Sequence, residues 1–201
     1  MGKYSKYFAV ILSLIFLYGC AGSTSHMRMV PENEAFYMPD ESHAFIIFMR
    51  PSTLGFAIQS SVFDITTGDN KLVGIVSAKK KVAYKTKPGE HLFMVIGESA
   101  DFMKANLEAG KTYYSLVTPR MGAWKARFSF KPIKKEELDA NEFKDWLNAC
   151  QYYENTESSY MWAEQNAESI QTKREKYWPK WEAKSEEEKP LLRLDDGQII
   201  N

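Results

Sequence analysis

Three histidines and several clustered carboxylates are the side chains of this sequence that could take part in acid–base or metal chemistry. His26, His43 and His91 each lack a second metal-ligating side chain two to four residues further on, so a zinc-type spacing is missing. Neither a serine nucleophile elbow nor a glycine-rich phosphate loop occurs. Runs of carboxylates usually lie on solvated surfaces, and here they are Glu136-Glu137, Glu186-Glu187-Glu188 and Asp195-Asp196. We therefore predict a protein that is not an enzyme and that holds no metal and no cofactor.

A different chemistry is indicated by one cysteine near the N-terminus. Leu17-Tyr18-Gly19-Cys20 resembles the bacterial lipobox, in which the cysteine carries diacylglycerol and a further amide-linked acyl chain such as palmitate. Tyr18 departs from that pattern, which usually has a smaller side chain there. Each buried CH₂ contributes about 0.8 kcal/mol, so several acyl chains anchor a protein stably. The resemblance implies that Cys20 is the lipid attachment site.

The residues before the lipobox have the layout of an export signal. Lys3 and Lys6 form a positive start, and residues 8–17 are almost entirely apolar. A transmembrane anchor is the alternative, but a span needs about 20 apolar residues, and residues 7–18 supply twelve. We predict a signal peptide over residues 1–19 and a lipid-anchored protein in the bacterial cell envelope.

The lipid anchor has two consequences. In lipoproteins of Gram-negative bacteria an aspartate after the cysteine typically retains the protein in the inner membrane, so Ala21 favours the outer membrane, facing the periplasm. Lipidation of Cys20 leaves Cys150 as the second and last cysteine, which excludes an intramolecular disulfide. Cys150 falls on the apolar face of a predicted helix, and we interpret it as a buried, inert thiol, the alternatives being an intermolecular bridge or a reactive thiol.

Charge is unevenly distributed, although the chain has 26 basic and 26 acidic residues. Residues 43–134 contain fourteen basic and six acidic side chains, whereas residues 135–201 contain nine basic and sixteen acidic ones. The simpler interpretation is that the acidic part docks on the basic part within one molecule. The other is that the basic part presents a face to anionic lipid or polymer.

Residues 43–134 carry the pattern of a β-domain, and residues 20–42 before them lack periodicity and are predicted to be a tether. Seven or eight runs of β-forming residues are separated by turn signals such as Pro88-Gly89. The runs are 44–49, 61–66, 71–76, 82–86, 91–96, 100–107, 112–118 and 123–131. They predict a mainly β fold, an antiparallel β-sandwich of about seven or eight strands followed by C-terminal α-helices.

The last of these runs alternates between two faces. Apolar residues stand at 124, 126, 128 and 130, and between them stand Lys125, Arg127, Ser129 and Lys131. Such alternation predicts one buried and one solvated face. We predict Lys125, Arg127 and Lys131 as a binding face for lipid headgroups or an anionic envelope polymer. Nucleic acid is excluded as a partner, because the export signal removes the chain from it and Trp124 faces away from the charges.

Residues 135–201 are predicted to be a helical extension packed on the sandwich. One helical stripe contains Phe143, Trp146, Leu147 and Cys150. A second, longer helix is predicted from spacings of three and four residues between apolar positions from 160 to 181, and Pro179 is expected to kink or split it. Residues 191–194 are expected to add a final strand or to lie across the core.

Four blocks of the β-region resemble small bacterial lipoproteins that carry an uncharacterised, PEGA-like β-sandwich domain. Asn70 departs from the second block, where such turns often have glycine. The resemblance implies fold and location, provides no catalytic residues and does not extend to the helical part. The blocks are residues 44–51, 69–74, 88–91 and 108–114.

These observations favour a non-enzymatic, lipid-anchored envelope protein that acts as a binding or scaffolding module. Its partners would be the membrane, through the anchor, and an envelope protein or anionic polymer. Two alternatives stay open. Abundant aromatic and methionine residues could line a pocket for an apolar small molecule or lipid, and an unrecognised hydrolase would need two titratable side chains converging in a cleft.

Overall fold

The computed structural model of the protein describes residues 26–35, 39–120 and 127–200. These residues form eleven strands and three α-helices. The strands are β1 Met27–Met29, β2 Ala44–Arg50, β3 Ser61–Asp64, β4 Lys71–Ile75, β5 Lys80–Thr86, β6 Gly89–Ile96, β7 Ala100–Leu107, β8 Thr112–Arg120, β9 Arg127–Pro132, β10 Gln151–Asn155 and β11 Leu191–Leu192. The helices are α1 Asn141–Ala149, α2 Glu157–Gln165 and α3 Ala167–Glu182, and short 3₁₀ turns occupy Lys135–Glu137, Glu186–Glu188 and Leu194–Asp196.

The first sheet has six strands in the order β1-β10-β5-β2-β8-β9. Its strand β2 is apolar except for Arg50 and is buried along its whole length, as expected of a strand that is covered on both faces. β2 pairs antiparallel with β5 and parallel with β8. β10 pairs parallel with β5, whereas β1 and β9 pair antiparallel with β10 and β8.

The second sheet has five strands in the order β11-β7-β6-β3-β4. β6 and β7 pair antiparallel over their full length, from Gly89 opposite Leu107 to Ile96 opposite Ala100. β3 lies between β6 and β4 and is antiparallel to both. β11 adds two residues in parallel beside β7, so the expected final strand at Leu191-Leu192 is confirmed.

The two sheets face each other across one apolar core. The ring centroid of Phe48 in β2 lies 5.1 Å from that of Phe93 in β6 and 5.6 Å from that of Phe130 in β9. All three side chains are buried in one cluster to which both sheets contribute. This filled core weighs against the alternative of an apolar ligand pocket between the sheets.

Helices cover the outer faces of both sheets. α1 packs on the first sheet, where the ring of Phe143 meets that of Tyr114 at 4.9 Å between centroids. α3 packs on the second sheet, where Trp178 and Trp181 lie 5.1 and 5.7 Å from the ring of Phe102. The layers are therefore helix, sheet, sheet and helix, with apolar clusters at each boundary.

The prediction of a β-rich chain with C-terminal helices is confirmed, but the prediction of an antiparallel sandwich needs correction. Both sheets are mixed, because β2 with β8, β10 with β5 and β11 with β7 pair in parallel. Parallel strands need long crossover connections. Alternation inside a single run shows which side chains are buried, but it does not show which distant strand lies beside them.

The folded body extends beyond the predicted β-domain on both sides. The region predicted as a helical extension supplies β10 to the first sheet and β11 to the second. The segment predicted as a tether supplies β1, in which Met27 lies opposite Asn155 and Met29 opposite Tyr153. Short polar strands such as Gln151–Asn155 are held by their neighbours and carry little pattern of their own.

The predicted stripe of the first helix is confirmed, since Phe143 and Cys150 are buried and Trp146 and Leu147 pack in the same cluster. The buried Cys150 is a free thiol, and burial raises its pKa to about 11, in agreement with an inert role. The prediction of one long second helix is wrong, because the helix breaks at Asn166, between α2 and α3. A split at Pro179 is also wrong, since α3 continues through Pro179 to Glu182.

Ion pairs join the basic part of the chain to its acidic part. Lys104 pairs with Glu186 at 3.0 Å, Lys131 with Glu137 at 2.9 Å, and Lys134 with Asp196 at 3.0 Å. Docking within one molecule therefore accounts for part of the charge asymmetry, and the basic residues outside these pairs need another explanation.

Replacing Phe48 by alanine is expected to lower the free energy of unfolding by about 3–5 kcal/mol, because it leaves a cavity in the core. Phe48 is 0% exposed, and Phe56, the matched control, is 77% exposed. Phe56→Ala removes the same atoms and should change stability by less than about 0.5 kcal/mol. Urea unfolding followed by circular dichroism measures both variants, and equal losses would contradict the assigned core.

Candidate anion-binding site

A cleft of about 270 Å³ lies at one end of the molecule, where β7, β9 and α3 meet. β7 contributes Asp101, and the paired ends of β8 and β9 contribute Arg120 and Arg127. The helix side contributes Lys180 and Lys184. Four basic side chains thus share the cleft with a single carboxylate, which leaves a net formal charge of +3.

Strand register brings the two arginines together. Phe128 and Phe130 point into the core between the sheets, so Arg127 lies on the other face of β9. Arg120 stands directly opposite Arg127 in the β8–β9 pair. Like charges in this position destabilise a strand pair, so folding alone gives no reason to place them there.

The helix side repeats the same unfavourable arrangement. Lys176 and Lys180 stand four residues apart in α3, which puts their ammonium groups on one face of the helix end, and Lys184 follows just after the helix. The ammonium groups of Lys176 and Lys180 lie 5.8 and 5.4 Å from the ring centroid of Tyr177. These cation–π contacts compensate part of the repulsion.

Asp101 is the carboxylate that the cations share. Its side chain is 11% exposed, and its two oxygens each lie 3.3 Å from a donor, one from Nη2 of Arg120 and one from Nζ of Lys184. Within the described parts of the chain, Arg127 and Lys180 have no carboxylate partner. The arrangement suits a phosphate, sulfate or carboxylate ligand, which would accept charge-assisted hydrogen bonds from these donors.

One residue in the wall of the same cleft contains an unsatisfied, buried donor. Trp181 lines the cleft and is 3% exposed, and its indole nitrogen has no hydrogen-bond partner among the described residues. A buried donor without a partner costs about 1–3 kcal/mol. This nitrogen is buried from solvent, so the case for the cleft as a binding site depends on its cations.

The predicted basic face is divided by the structure. Arg127 lies in the cleft, but Lys131 stands about 13 Å further along β9. The Lys131 ammonium pairs with Glu137 at 2.9 Å and lies 5.0 Å from the ring centroid of Trp146. Its charge is therefore already engaged by α1 and by the 3₁₀ turn before α1. Lys125 and the predicted lipid site Cys20 lie outside the described residues.

Arg120, Lys180 and Lys184 were not predicted from the sequence. The lysine spacing of four residues in α3 was a visible signal, but it is typical of any solvated helix face. Nothing in the local pattern shows that α3 ends beside β7, or that β8 turns Arg120 towards Asp101.

A second polar cluster surrounds Asp64, the last residue of β3. The Asp64 carboxylate accepts hydrogen bonds from the Tyr84 hydroxyl at 3.0 Å and from the Thr66 amide at 3.0 Å. The Nδ1 atom of His91 lies 3.4 Å from Oδ2 of Asp64, and its Nε2 lies 2.9 Å from the carbonyl oxygen of Lys87. Both ring nitrogens of His91 are therefore engaged.

The electrostatics of this cluster indicate a structural role. Burial would raise the pKa of Asp64, but hydrogen bonds from His91, Thr66 and Tyr84 lower it to about 2. Burial would likewise lower the pKa of His91, but its contacts with Asp64 and the Lys87 carbonyl leave it raised. A general base needs a free nitrogen within reach of a substrate proton, so this geometry does not favour the hydrolase alternative.

The other two histidines are also engaged locally. Nδ1 of His26 lies 2.8 Å from the Ser158 hydroxyl, and Nδ1 of His43 lies 2.7 Å from Oδ1 of Asp40. In residues 26–35, 39–120 and 127–200, no group of three or more His, Cys, Asp and Glu side chains is placed to hold a metal ion. None of the helices in these ranges combines the length and apolar character needed to cross a membrane.

No protein-family model and no curated protein matches the chain. The resemblance to PEGA-like lipoproteins therefore stays a prediction.

Asp64→Asn is expected to lower the free energy of unfolding by about 2 kcal/mol at pH 7, because folding moves the carboxyl pKa from 3.8 to about 2. A lowered pKa stabilises the fold above the unfolded value, and this contribution disappears as the pH falls from about 4 towards 2. Urea unfolding between pH 7 and pH 3 should show the two proteins converging in acid.

The control is His91→Gln, for which the sign is reversed. A raised histidine pKa stabilises the fold below the unfolded value of about 6.5, and this contribution is lost as the pH rises through the folded value. The difference in free energy of unfolding between wild type and His91→Gln should thus be larger at pH 5 than at pH 9. If the loss of unfolding free energy is independent of pH for both variants, the cluster is not ionic.

Proposed function

We propose that the protein is a non-enzymatic, lipid-anchored binding module of the bacterial cell envelope, and that its basic cleft takes an anionic ligand. One observation carries the proposal. Two like-charged pairs, Arg120 with Arg127 and Lys180 with Lys184, converge on a cleft that contains one carboxylate. The Arg120–Arg127 pair is unfavourable by itself, and an anion in the cleft would relieve the repulsion among its cations.

The anchoring half of the proposal depends on the lipobox-like segment around Cys20. Cys150 is buried at the end of α1, so it is not available as a disulfide partner for Cys20. Six residues separate Cys20 from Met27 in β1, and they span at most about 25 Å. A lipid on Cys20 would therefore keep the domain close to the bilayer surface.

The PEGA-like resemblance belongs to the same proposal. The third and fourth blocks that suggested it coincide with the turns before β6 and between β7 and β8. Gly89 and Gly110 in these turns have φ values of +124° and +77°, which favour glycine strongly. Backbone geometry thus explains the glycines of these blocks.

Cys20→Ala is expected to abolish incorporation of a palmitate analogue in cells, because the acyl chains are attached through that residue. The matched control is Cys150→Ala, which makes the same chemical change at the buried thiol and should leave labelling intact. Labelling is measured by click detection after purification. Label that survives Cys20→Ala would contradict the proposed anchor.

Arg120→Ser combined with Arg127→Ser is expected to weaken binding of labelled dextran sulfate to the full chain in detergent micelles about tenfold at low salt. Each cation contributes on the order of 1 kcal/mol beside an anion in water, and salt screens the effect. Fluorescence anisotropy measures the binding.

The charge-matched control for this experiment is Lys135→Ser with Lys144→Ser. Both lysines are exposed on the α1 side of the molecule, so the control should bind like the wild type. Uncharged dextran should not bind to any of the proteins. Equal weakening in the two double variants would show that net charge, and not the cleft, determines the binding.

A further inference from the structure

An apolar loop stands at the same end of the molecule as the basic cleft. Residues 51–60 connect β2 to β3. Leu54, Phe56 and Ile58 in this loop are 48%, 77% and 38% exposed. Three large apolar side chains that point into water within five residues contribute little to the core, and such patches mark binding surfaces.

A buried cation holds the loop in shape. Arg50 is 0% exposed, and its Nη1 donates to the Ile58 carbonyl at 2.7 Å. Its Nη2 donates to the carbonyls of Leu54 and Gly55 at 2.7 and 2.8 Å. Gly55 has a φ of +65°, a conformation that glycine adopts at low cost.

The means of holding the loop is energetically unusual. Among the described residues, no carboxylate pairs with Arg50, and burial lowers its pKa. A buried charge without an ionic partner is costly, and here the compensation comes from three carbonyl groups and from the ring of Phe128, 4.7 Å away. The fold therefore retains a buried cation whose hydrogen bonds orient the loop.

The loop and the cleft are neighbours. Phe128 stacks under the Arg50 guanidinium and also lines the cleft. The loop that carries positions 54, 56 and 58 is therefore linked to the basic cleft through Arg50 and Phe128. The 51–60 loop enters β3 at Ser61, and the chain leaves the other end of β3 into the turn with Gly68 and Asp69. A label in this turn therefore reports on the end of the molecule away from the loop.

We propose that this end of the molecule docks on an anionic phospholipid bilayer, with the 54–58 loop inserted at the boundary between headgroups and acyl chains. The cleft then holds lipid phosphates. Charge complementarity selects the occupant, because apolar insertion surrounded by Lys and Arg is the combination by which proteins bind anionic membrane surfaces. The inference deepens the proposed function and rests on it, since it names the anion that the cleft takes.

The length of the link to the anchor is compatible with this orientation. Gln151, the first residue of β10, is level with Lys80 and therefore with Arg50, where the loop begins. Met27 lies opposite Asn155, which is four residues further along β10. This places Met27 about 13 Å from the end of the strands that carries the loop. The residues between Cys20 and Met27 span up to about 25 Å, so a lipid on Cys20 reaches a bilayer that the loop touches.

The test uses the full lipidated chain reconstituted into vesicles of phosphatidylcholine, with or without phosphatidylglycerol. Ala57→Cys, exposed beside Phe56, carries an environment-sensitive NBD label, and Asp69→Cys carries the same label at the opposite end as the control. We expect a blue-shifted emission, quenched by spin-labelled lipids, at position 57 in anionic vesicles only. Position 69 should report water in both kinds of vesicle.

Three further variants separate insertion from charge. Phe56→Ser in the Ala57→Cys background is expected to reduce the inserted fraction about tenfold or more, because one phenylalanine side chain leaves the apolar phase. Arg120→Ser with Arg127→Ser should remove the preference for anionic vesicles. Lys135→Ser with Lys144→Ser should retain it.

Each outcome bears on the proposal separately from the proposed function. An unshifted label at position 57 in anionic vesicles overturns bilayer docking, while palmitate-analogue labelling of Cys20 and dextran sulfate binding still test the anchor and the cleft. A shift of equal size at position 69 also overturns it. A shift that requires added envelope extract, and not lipid, assigns the loop to a protein partner and overturns the bilayer as its occupant.

Discussion

Each of the two sheets is apolar on both faces, and the architecture follows from the need to remove all four faces from water. In β6, Phe93 and Val95 point into the space between the sheets, whereas Met94 and Ile96 point outwards to the helices. Burial of apolar surface contributes about 25 cal/mol per Å², so a solvated outer face would be strongly unfavourable. The C-terminal region covers both outer faces with helices and adds a strand to each sheet on the way.

This requirement leaves little of the sheet surface for binding. With both faces covered, the exposed parts of the β-structure are its edges and the ends of its strands. The two features that folding does not explain both lie at one strand end: the cations around Asp101, and the apolar tips of the 51–60 loop. Elsewhere, Lys104 and Lys134 form ion pairs with Glu186 and Asp196, so these charges connect parts of the fold.

The two polar clusters illustrate the difference between a structural and a binding arrangement. Around Asp64, donors and acceptors satisfy one another, and the carboxylate and the imidazole each stabilise the charged form of the other. Around Asp101, four cations face one carboxylate, and among the described residues Arg127 and Lys180 have no carboxylate partner. A satisfied network rigidifies a fold, whereas an unsatisfied one leaves donors for a ligand.

The sequence by itself determined which side of the strongly patterned elements is buried. Phe128 and Phe130 lie in the core as their alternation predicted, and Phe143 and Cys150 lie under α1 as their helical spacing predicted. Tertiary structure alone decided that β8 runs parallel to β2, that β1 and β10 complete the first sheet, and that Arg120 and Lys184 meet at Asp101. The physical reason is that periodicity records exposure to water residue by residue, whereas the partner that excludes the water is chosen by long-range packing.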